Sequence, residues 1–306
     1  MTEFYELLER ALVGPFNMFA DPQSRIHWLF ILGSLLLPLV LLRRHAWRRE
    51  LKKLFSWQIW SHPSSRLDIL ILLTNYVLRV FLFPSRVLAI AGVAAVVSYS
   101  LRQMFSVPQL GLSVAVVTGI FTLVSFVVDD FSRFYLHYLQ HKIPFLWRFH
   151  RVHHSAEVLT PLSLYRTHPV DMLGSLIRSA LAVGFVTGVC FFLFGDSLSG
   201  WDIIGANAFG FLFNLLGANL RHSHVWLHFG ALESVFISPA AHQVHHSIDP
   251  RHYDRNFGSC FALWDRWFGS FVDPRPLRQK DIKFGLVESN SRWSFKRVYW
   301  DLWFGR

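Results

Sequence analysis

The sequence predicts an all-α integral membrane protein, with about four to five transmembrane helices paired in hairpins and a helical cytosolic cap. Three observations lead there. The 306 residues are 52% hydrophobic and 16% aromatic but only 16% charged, too apolar for an ordinary soluble domain. Apolar runs recur at 26–42, 67–83, 86–101, 109–128, 174–194 and 201–220, and a membrane-crossing helix needs ~20 such residues. Histidines, sixteen in all, gather after the spans in His137-Tyr-Leu-Gln-His141, His150-Arg-Val-His153-His154 and His242-Gln-Val-His245-His246.

The run 26–42 ends in Arg43-Arg44, and Arg48, Arg49, Lys52 and Lys53 follow. This density of cations places the loop on the cytoplasmic side and the acidic, aromatic residues 1–10 outside. Those first residues have no basic start and no cleavage site, which predicts no cleaved signal peptide. Trp47, Trp57 and Trp60 read as interfacial anchors. The run 67–83 carries Asn75 and Arg79 and is followed by Pro84. A central Arg costs ~2.5–3.5 kcal/mol on insertion scales, so either this run or the next is expected to be incomplete or interfacial. That leaves an even number of crossings between the basic loop and His137.

The run 109–128 is the cleanest span. Its helix is expected to continue past Asp129-Asp130 into the first histidine element, which puts His141 ~20 Å beyond Val128 and clear of the hydrocarbon. Residues 174–194 and 201–220 form a hairpin around Gly195-Asp-Ser-Leu-Ser-Gly200, a loop without Lys or Arg, so both histidine groups end on one side. Beyond Arg221 the chain is polar and rich in turn formers. Residues 273–306, basic and containing Trp293, Trp300 and Trp303, read as a surface-lying tail. The expected organisation is a membrane or interfacial region (1–110), a histidine-bearing region (111–272) and this tail.

The net charge of +10 suits anionic headgroups or an acidic protein partner. No basic-aromatic motif points to nucleic acid. Cys190 lies within an apolar run and Cys260 beyond the last histidine element; isolated in this way, they predict neither a structural disulfide nor thiolate ligands.

On a helix, positions i, i+3 and i+4 share a face with β-carbons ~5–6 Å apart, so each histidine element aims two or three imidazoles at one point. Together they exceed the four ligands of a tetrahedral zinc site. Two first-row metal ions with about four or five nitrogens each fit better. The absence of thiolates disfavours iron–sulfur and structural zinc sites, while imidazole alone does not choose among Zn, Cu, Fe and Ni. Asp130, two turns before His137 on the same helix face, is placed to accept a ligand's second N–H; an ordinary helix-end carboxylate accounts for it equally. His27, His45, His62 and His252 lack cluster spacing and read as structural.

With Leu146-Trp-Arg-Phe-His150, Arg166-Thr-His168-Pro169, Asn256-Phe-Gly258 and Trp264-Asp265 around the three histidine elements, the sequence resembles the fatty acid hydroxylase/sterol desaturase superfamily over about residues 115–272. The resemblance implies a membrane-bound non-haem di-iron oxygenase. It would use two iron ions (Fe2+/Fe3+) and O2 to hydroxylate or desaturate a lipid, whether fatty acyl, ether-linked or sterol-like. It carries His137, His141, His150, His153, His154, His242, His245 and His246 over as metal ligands. A lone histidine is expected before the last element, and His222 fits it best. His224 stands where many relatives have Asn, which leaves the number of ligands open; His224 and His228 are additional candidates, and His168 is a candidate ligand, ligand-orienting group or substrate contact. Asp130, Asp254 and Asp265 are candidates for holding ligand imidazoles, with N-cap or turn roles equally open for the last two. The metals would carry the chemistry, so no other catalytic side chain is assigned. The chain has no dinucleotide-binding Gly-rich loop, so electrons would come from a separate NAD(P)H-linked reductase or carrier, for which a basic cytoplasmic face is suited.

Two other function classes use the same histidines. A membrane metal-binding or transport protein would place ionisable ligands inside its spans near the midplane; here the clusters follow the spans. A zinc hydrolase would need a Glu general base at HExxH-like spacing, and Glu157 and Glu233 are not so placed.

Overall fold

In hydrocarbon an unpaired backbone N–H or C=O has no water to bond, so long apolar runs close into helices. The computed structural model describes residues 2–22, 24–42, 44–82, 86–108, 110–195, 211–215 and 218–287. Its elements are α1 (Thr2–Asn17), α2 (Trp28–Leu41), α3 (Arg44–Leu54), α4 (Trp57–Trp60), α5 (Pro63–Leu82), α6 (Arg86–Met104), α7 (Val114–Lys142), α8 (Pro144–His154) and α9 (Pro169–Phe194). Two short helices follow, α10 (Pro239–His245) and α11 (Leu263–Trp267). Among the described residues there is no strand, only isolated bridges pairing Phe236 with Phe261 and Ser247 with Phe284. The chain divides into two compact units, residues 84–136 with 173–213, and residues 1–83 with 137–172 and 214–306.

The first of these units is the membrane part. Three described helices, α6, α7 and α9, are long and apolar enough to cross a bilayer, which makes the chain an integral membrane protein. Val117 and Phe121 of α7 pack on Val186 and Cys190 of α9. Gly184 and Gly188 let α6 approach α9 backbone to backbone. A Cβ on Gly188 would lie 2.7 Å from the Ala94 carbonyl oxygen, and one on Gly184 2.7 Å from the Val93 Cβ. Close approach through small residues is how helices associate without a hydrophobic drive between them. Val87 and Leu88 of α6 are each 70% exposed, as lipid-facing side chains should be. Arg178 on α9 is met by Asp129 at 2.8 Å, and Asp129 also accepts from Arg133 at 2.7 Å, so charges near the span are paired.

The remaining expected runs differ in length or composition. Run 26–42 gives only the fourteen residues of α2, interrupted by Pro38. Run 67–83 lies in α5, whose Arg66, Asp68 and Arg79 keep it from being apolar enough to span. Of run 201–220 only 211–215 and 218–220 are among the described residues, and the tail from 288 with Trp293, Trp300 and Trp303 lies outside them.

The second unit carries the histidines. Helix α7 runs unbroken past Asp129-Asp130 through His141. It stops where Pro144 forces Ile143 into an extended conformation (φ −98°, ψ 114°) and itself opens α8. Segment 157–171 is broken up by two prolines. Pro161 starts a short 3-10 turn closed by a Thr160–Ser163 capping box, and Pro169 starts α9. In α10, Pro239 again occupies the first position and the Ser238 hydroxyl caps the Ala241 N–H. Leu220, Val225 and Leu227 form a small core with Leu37, Leu42 and Leu54. The basic helix α3 is tied to the same core: buried Glu50 accepts from Lys53 at 2.6 Å and from the Trp226 N–H at 3.0 Å.

Candidate metal centre

Four stretches bring nine imidazoles together: the end of α7, α8, the 3-10 turn 218–222 and α10. They sort into two groups whose ligand atoms lie within 4.8 Å of one another, one of His137, His141, His150, His154 and His245, the other of His153, His222, His242 and His246. The sorting follows helix geometry. In each His-x-x-His-His element the i and i+4 residues lie ~40° apart about the helix axis, while i+3 sits on the other flank of the same face, ~60° from i and ~100° from i+4. His150 and His154 therefore join the five-histidine group and His153 the other; His242 and His246 join the four-histidine group and His245 the first. The two His-x-x-His-His elements thus each feed both groups, rather than aiming all their imidazoles at one point as the sequence suggested, whereas His137 and His141 both join the five-histidine group.

Hydrogen bonds fix the rings from behind. His137 Nδ1 donates to the Phe257 carbonyl at 2.8 Å, His245 Nδ1 to the Arg255 carbonyl at 2.7 Å and His153 Nδ1 to the Arg166 carbonyl at 3.3 Å. His222 Nδ1 lies 2.8 Å from the Ser163 hydroxyl, which itself donates to the Thr160 carbonyl. His141 Nδ1 is 3.4 Å from Asp254, and His150 Nδ1 is 3.5 Å from Asp171. A carbonyl can only accept, so Nδ1 carries the proton and Nε2 keeps a lone pair.

Those lone pairs converge. The Nε2 atoms of His137, His150 and His245 are buried without a hydrogen-bond partner. His242 Nε2 lies 3.1 Å from His222 Nε2 and 3.2 Å from His246 Nε2. One ring nitrogen has a single proton or a single lone pair and cannot satisfy both neighbours. Burial pushes the imidazoles of His153, His154, His222, His242, His245 and His246 well below their usual 6.5, and that of His150 to about 3. The rings are thus neutral, and their inward lone pairs are donors suited to a metal cation. A nitrogen-only set of five and another of four fit two transition metal ions.

The other candidates are placed differently. His168, His224 and His228 stand outside both groups, and one ring nitrogen of each accepts from a backbone N–H. His168 Nδ1 accepts from the Val170 N–H, His224 Nε2 from Leu159 N–H, and His228 Nδ1 from Gly230 N–H. Asp130 is buried on α7 and belongs to neither group; at His137 the acceptor is the Phe257 carbonyl instead. Asp265 acts through the main chain. Fully buried, it accepts from the N–H groups of Phe257 (2.8 Å) and Gly258 (2.7 Å) and from the Ser270 hydroxyl (2.6 Å), and so fixes the carbonyl that holds His137. Asp254 and Asn256 occupy the left-handed region (φ 57° and 55°), which Asp and Asn tolerate better than other side chains. Asn256 ties this loop to α10 by donating to the Ala241 carbonyl at 3.0 Å. Asp171, Ser163 and the carbonyls of Arg166, Arg255 and Phe257 escaped the sequence reading. A main-chain oxygen has no residue signature, and neither Asp171 nor Ser163 lies at helical spacing from the histidine it meets.

A cavity of about 340 Å³ reaches His141, His154 and His245 of the five-histidine group, with Trp147, Arg151 and Ile248 among its other walls.

A family model described as fatty acid hydroxylase matches residues 122–270. The chain is 30% identical over 201 residues to the ornithine lipid hydroxylase OlsE of Rhizobium tropici, covering 65% of this chain and 53% of that protein. It is 26% identical over 163 residues to the alkylglycerol monooxygenase of Xenopus tropicalis, covering 53% of this chain and 32% of the relative. A 26% identity over 164 residues relates it to the very-long-chain aldehyde decarbonylase GL1-9 of Oryza sativa subsp. indica, covering 53% of this chain and 58% of that one. The chain thus spans about half or less of the length of the first two relatives. No solved structure matches it.

Proposed function

We propose that this chain, which belongs to the fatty acid hydroxylase/sterol desaturase superfamily, is a di-iron oxygenase that hydroxylates or desaturates an unactivated C–H of a membrane lipid. The observation that carries this reading is the convergence of nine imidazoles, six of them buried and three half-buried, into two adjacent nitrogen-only groups. Two iron ions there would supply oxidation by O2 with electrons from outside the chain. The relatives act on an ornithine lipid, an alkylglycerol and a very-long-chain aldehyde, as their names state; for this chain the substrate class is a lipid with a long apolar portion, fatty acyl, ether-linked or sterol-like.

The residues of the chain have three tasks in this reading. The carbonyls of Phe257, Arg255 and Arg166 hold the Nδ1 protons of His137, His245 and His153, so that each Nε2 faces inward. Burial keeps bulk water and protons from the nitrogens. The cavity beside His141 and His154 gives a reactant a route to the five-histidine group. Electrons would arrive from a separate NAD(P)H-linked reductase or carrier. The site would face the cytoplasm, because basic α3, with Arg48, Arg49, Lys52 and Lys53, is bonded through Glu50 to the histidine-bearing unit.

The test is metal analysis of the purified full chain in detergent, followed by turnover of a lipid extract with O2 and a chemical or enzymatic reductant. Two irons per chain and an O2-dependent gain of oxygen or loss of two hydrogens in a lipid are expected. Tight zinc, with no redox turnover after iron replacement, would overturn the reading.

A further inference from the structure

Arg166 is 1% exposed, and a buried guanidinium is tolerated only where its charge and its donors are met. Its Nε donates to Asp68 at 2.6 Å. Its Nη2 donates to the Ser64 carbonyl at 2.7 Å and to the Ser64 hydroxyl at 2.9 Å, and its Nη1 to the Ser155 hydroxyl at 3.1 Å. Asp68 and Ser64 lie in the first two turns of α5, outside the residues matched by the family model. The same helix grips the loop on either side of Arg166, since Asn75 Nδ2 donates to the carbonyls of Tyr165 (3.2 Å) and Thr167 (2.8 Å).

The consequence falls on His153-His154-Ser155. Arg166 holds this tripeptide at both ends, its carbonyl under His153 Nδ1 at 3.3 Å and its guanidinium on Ser155. His153 serves the four-histidine group and His154 the five-histidine group, so the clamp sits where the chain passes from one to the other.

We propose that α5 is a positioning element of the metal centre: Asp68 and Ser64 fix Arg166, and Arg166 fixes the direction in which His153 is presented to the four-histidine group. Asp68, Ser64 and Arg166 are positioning residues, since none is among the histidines that form the two groups. This rests on the metal-centre reading above. A partner that orients a ligand imidazole affects metal affinity by ~10–100-fold when removed. His154 has no such bond to Arg166, so the effect should be unequal between the two groups.

The test is a Co2+ titration of the full chain in detergent, followed by visible absorption and metal analysis. His246→Ala serves as the reference for loss of the four-histidine site, and Val117→Ala as the control for lost packing elsewhere. Asp68→Asn should weaken the equivalent that His246→Ala abolishes by ~10–100-fold and leave the other near its wild-type affinity. Ser64→Ala, which keeps the carbonyl bond, should do the same to a smaller extent. Uptake of both equivalents with wild-type affinity in the two variants overturns the proposal, as does equal weakening of both sites. Should Asp68→Asn not fold, Ser64→Ala decides by the same criterion. A wild-type chain that binds no metal overturns the di-iron reading itself, and this role falls with it.

Discussion

Replacing Asp265 by Asn tests how far from the imidazoles the centre is held. The carboxylate accepts three hydrogen bonds, from the Phe257 N–H and the Ser270 hydroxyl on one oxygen and from the Gly258 N–H on the other. An amide has one acceptor. Whichever way it is turned, an NH2 faces a backbone N–H, and that donor is left buried and unmet. Losing a hydrogen bond to a charged group costs ~1.5–3 kcal/mol, and leaving a buried donor unsatisfied costs ~1–3 kcal/mol. The two describe largely the same event, so a loss of ~2–4 kcal/mol is expected rather than their sum. The disturbed residues are Phe257 and Gly258, and the Phe257 carbonyl orients His137. Metal binding should therefore weaken by ~10–100-fold, which is ~1.4–2.8 kcal/mol. Equilibrium dialysis against Co2+ or Fe2+ measures the affinity, and the unfolding midpoint in detergent measures the stability. A lowered midpoint with wild-type affinity would refute the link from Asp265 to His137. An unchanged midpoint would refute the hydrogen-bond argument itself.

Three further outcomes are expected. His153→Ala should lose the metal of the four-histidine group and keep the other, and His150→Ala should do the reverse, so each purified variant holds about one ion per chain by metal analysis; loss of both ions in each variant would contradict the partition. Gly188→Val should lower the unfolding midpoint in detergent by the equivalent of ~1–3 kcal/mol, an overpacking cost, because its Cβ would meet the Ala94 carbonyl oxygen at 2.7 Å; an unchanged midpoint would mean that α6 and α9 are free to separate. In the metal-free protein, His150 titrates near 3 against 6.5 for an ordinary histidine, with its buried neighbours shifted the same way. The unfolded chain then binds more protons than the folded one below about 6.5, so stability should fall as pH drops from there toward 3. Midpoints of the chelator-treated protein across this range check the sign, and a midpoint that rises on acidification would contradict it.

The sequence by itself determined the residue types and their local spacing. HxxxH, the two His-x-x-His-His elements and His222 supply the nine imidazoles that converge, because i, i+3 and i+4 spacing on a helix is a local property. The unbroken α7 was legible for the same reason: the apolar run to Val128 and the polar residues after it carry no Pro before Pro144, so the helix can continue to His141. The tertiary structure decided what spacing cannot encode. It divided each His-x-x-His-His element between two groups, since the direction of a helix face acquires a meaning only when other helices stand opposite it. Burial made the rings neutral, a consequence of surrounding protein rather than of any neighbour in sequence. Main-chain oxygens of Phe257, Arg255 and Arg166 became the acceptors behind His137, His245 and His153, and any residue type could have supplied them. Asp68, ninety-eight residues from Arg166, could not be tied to the centre from the sequence, because a buried ion pair between distant segments exists only once the chain has folded.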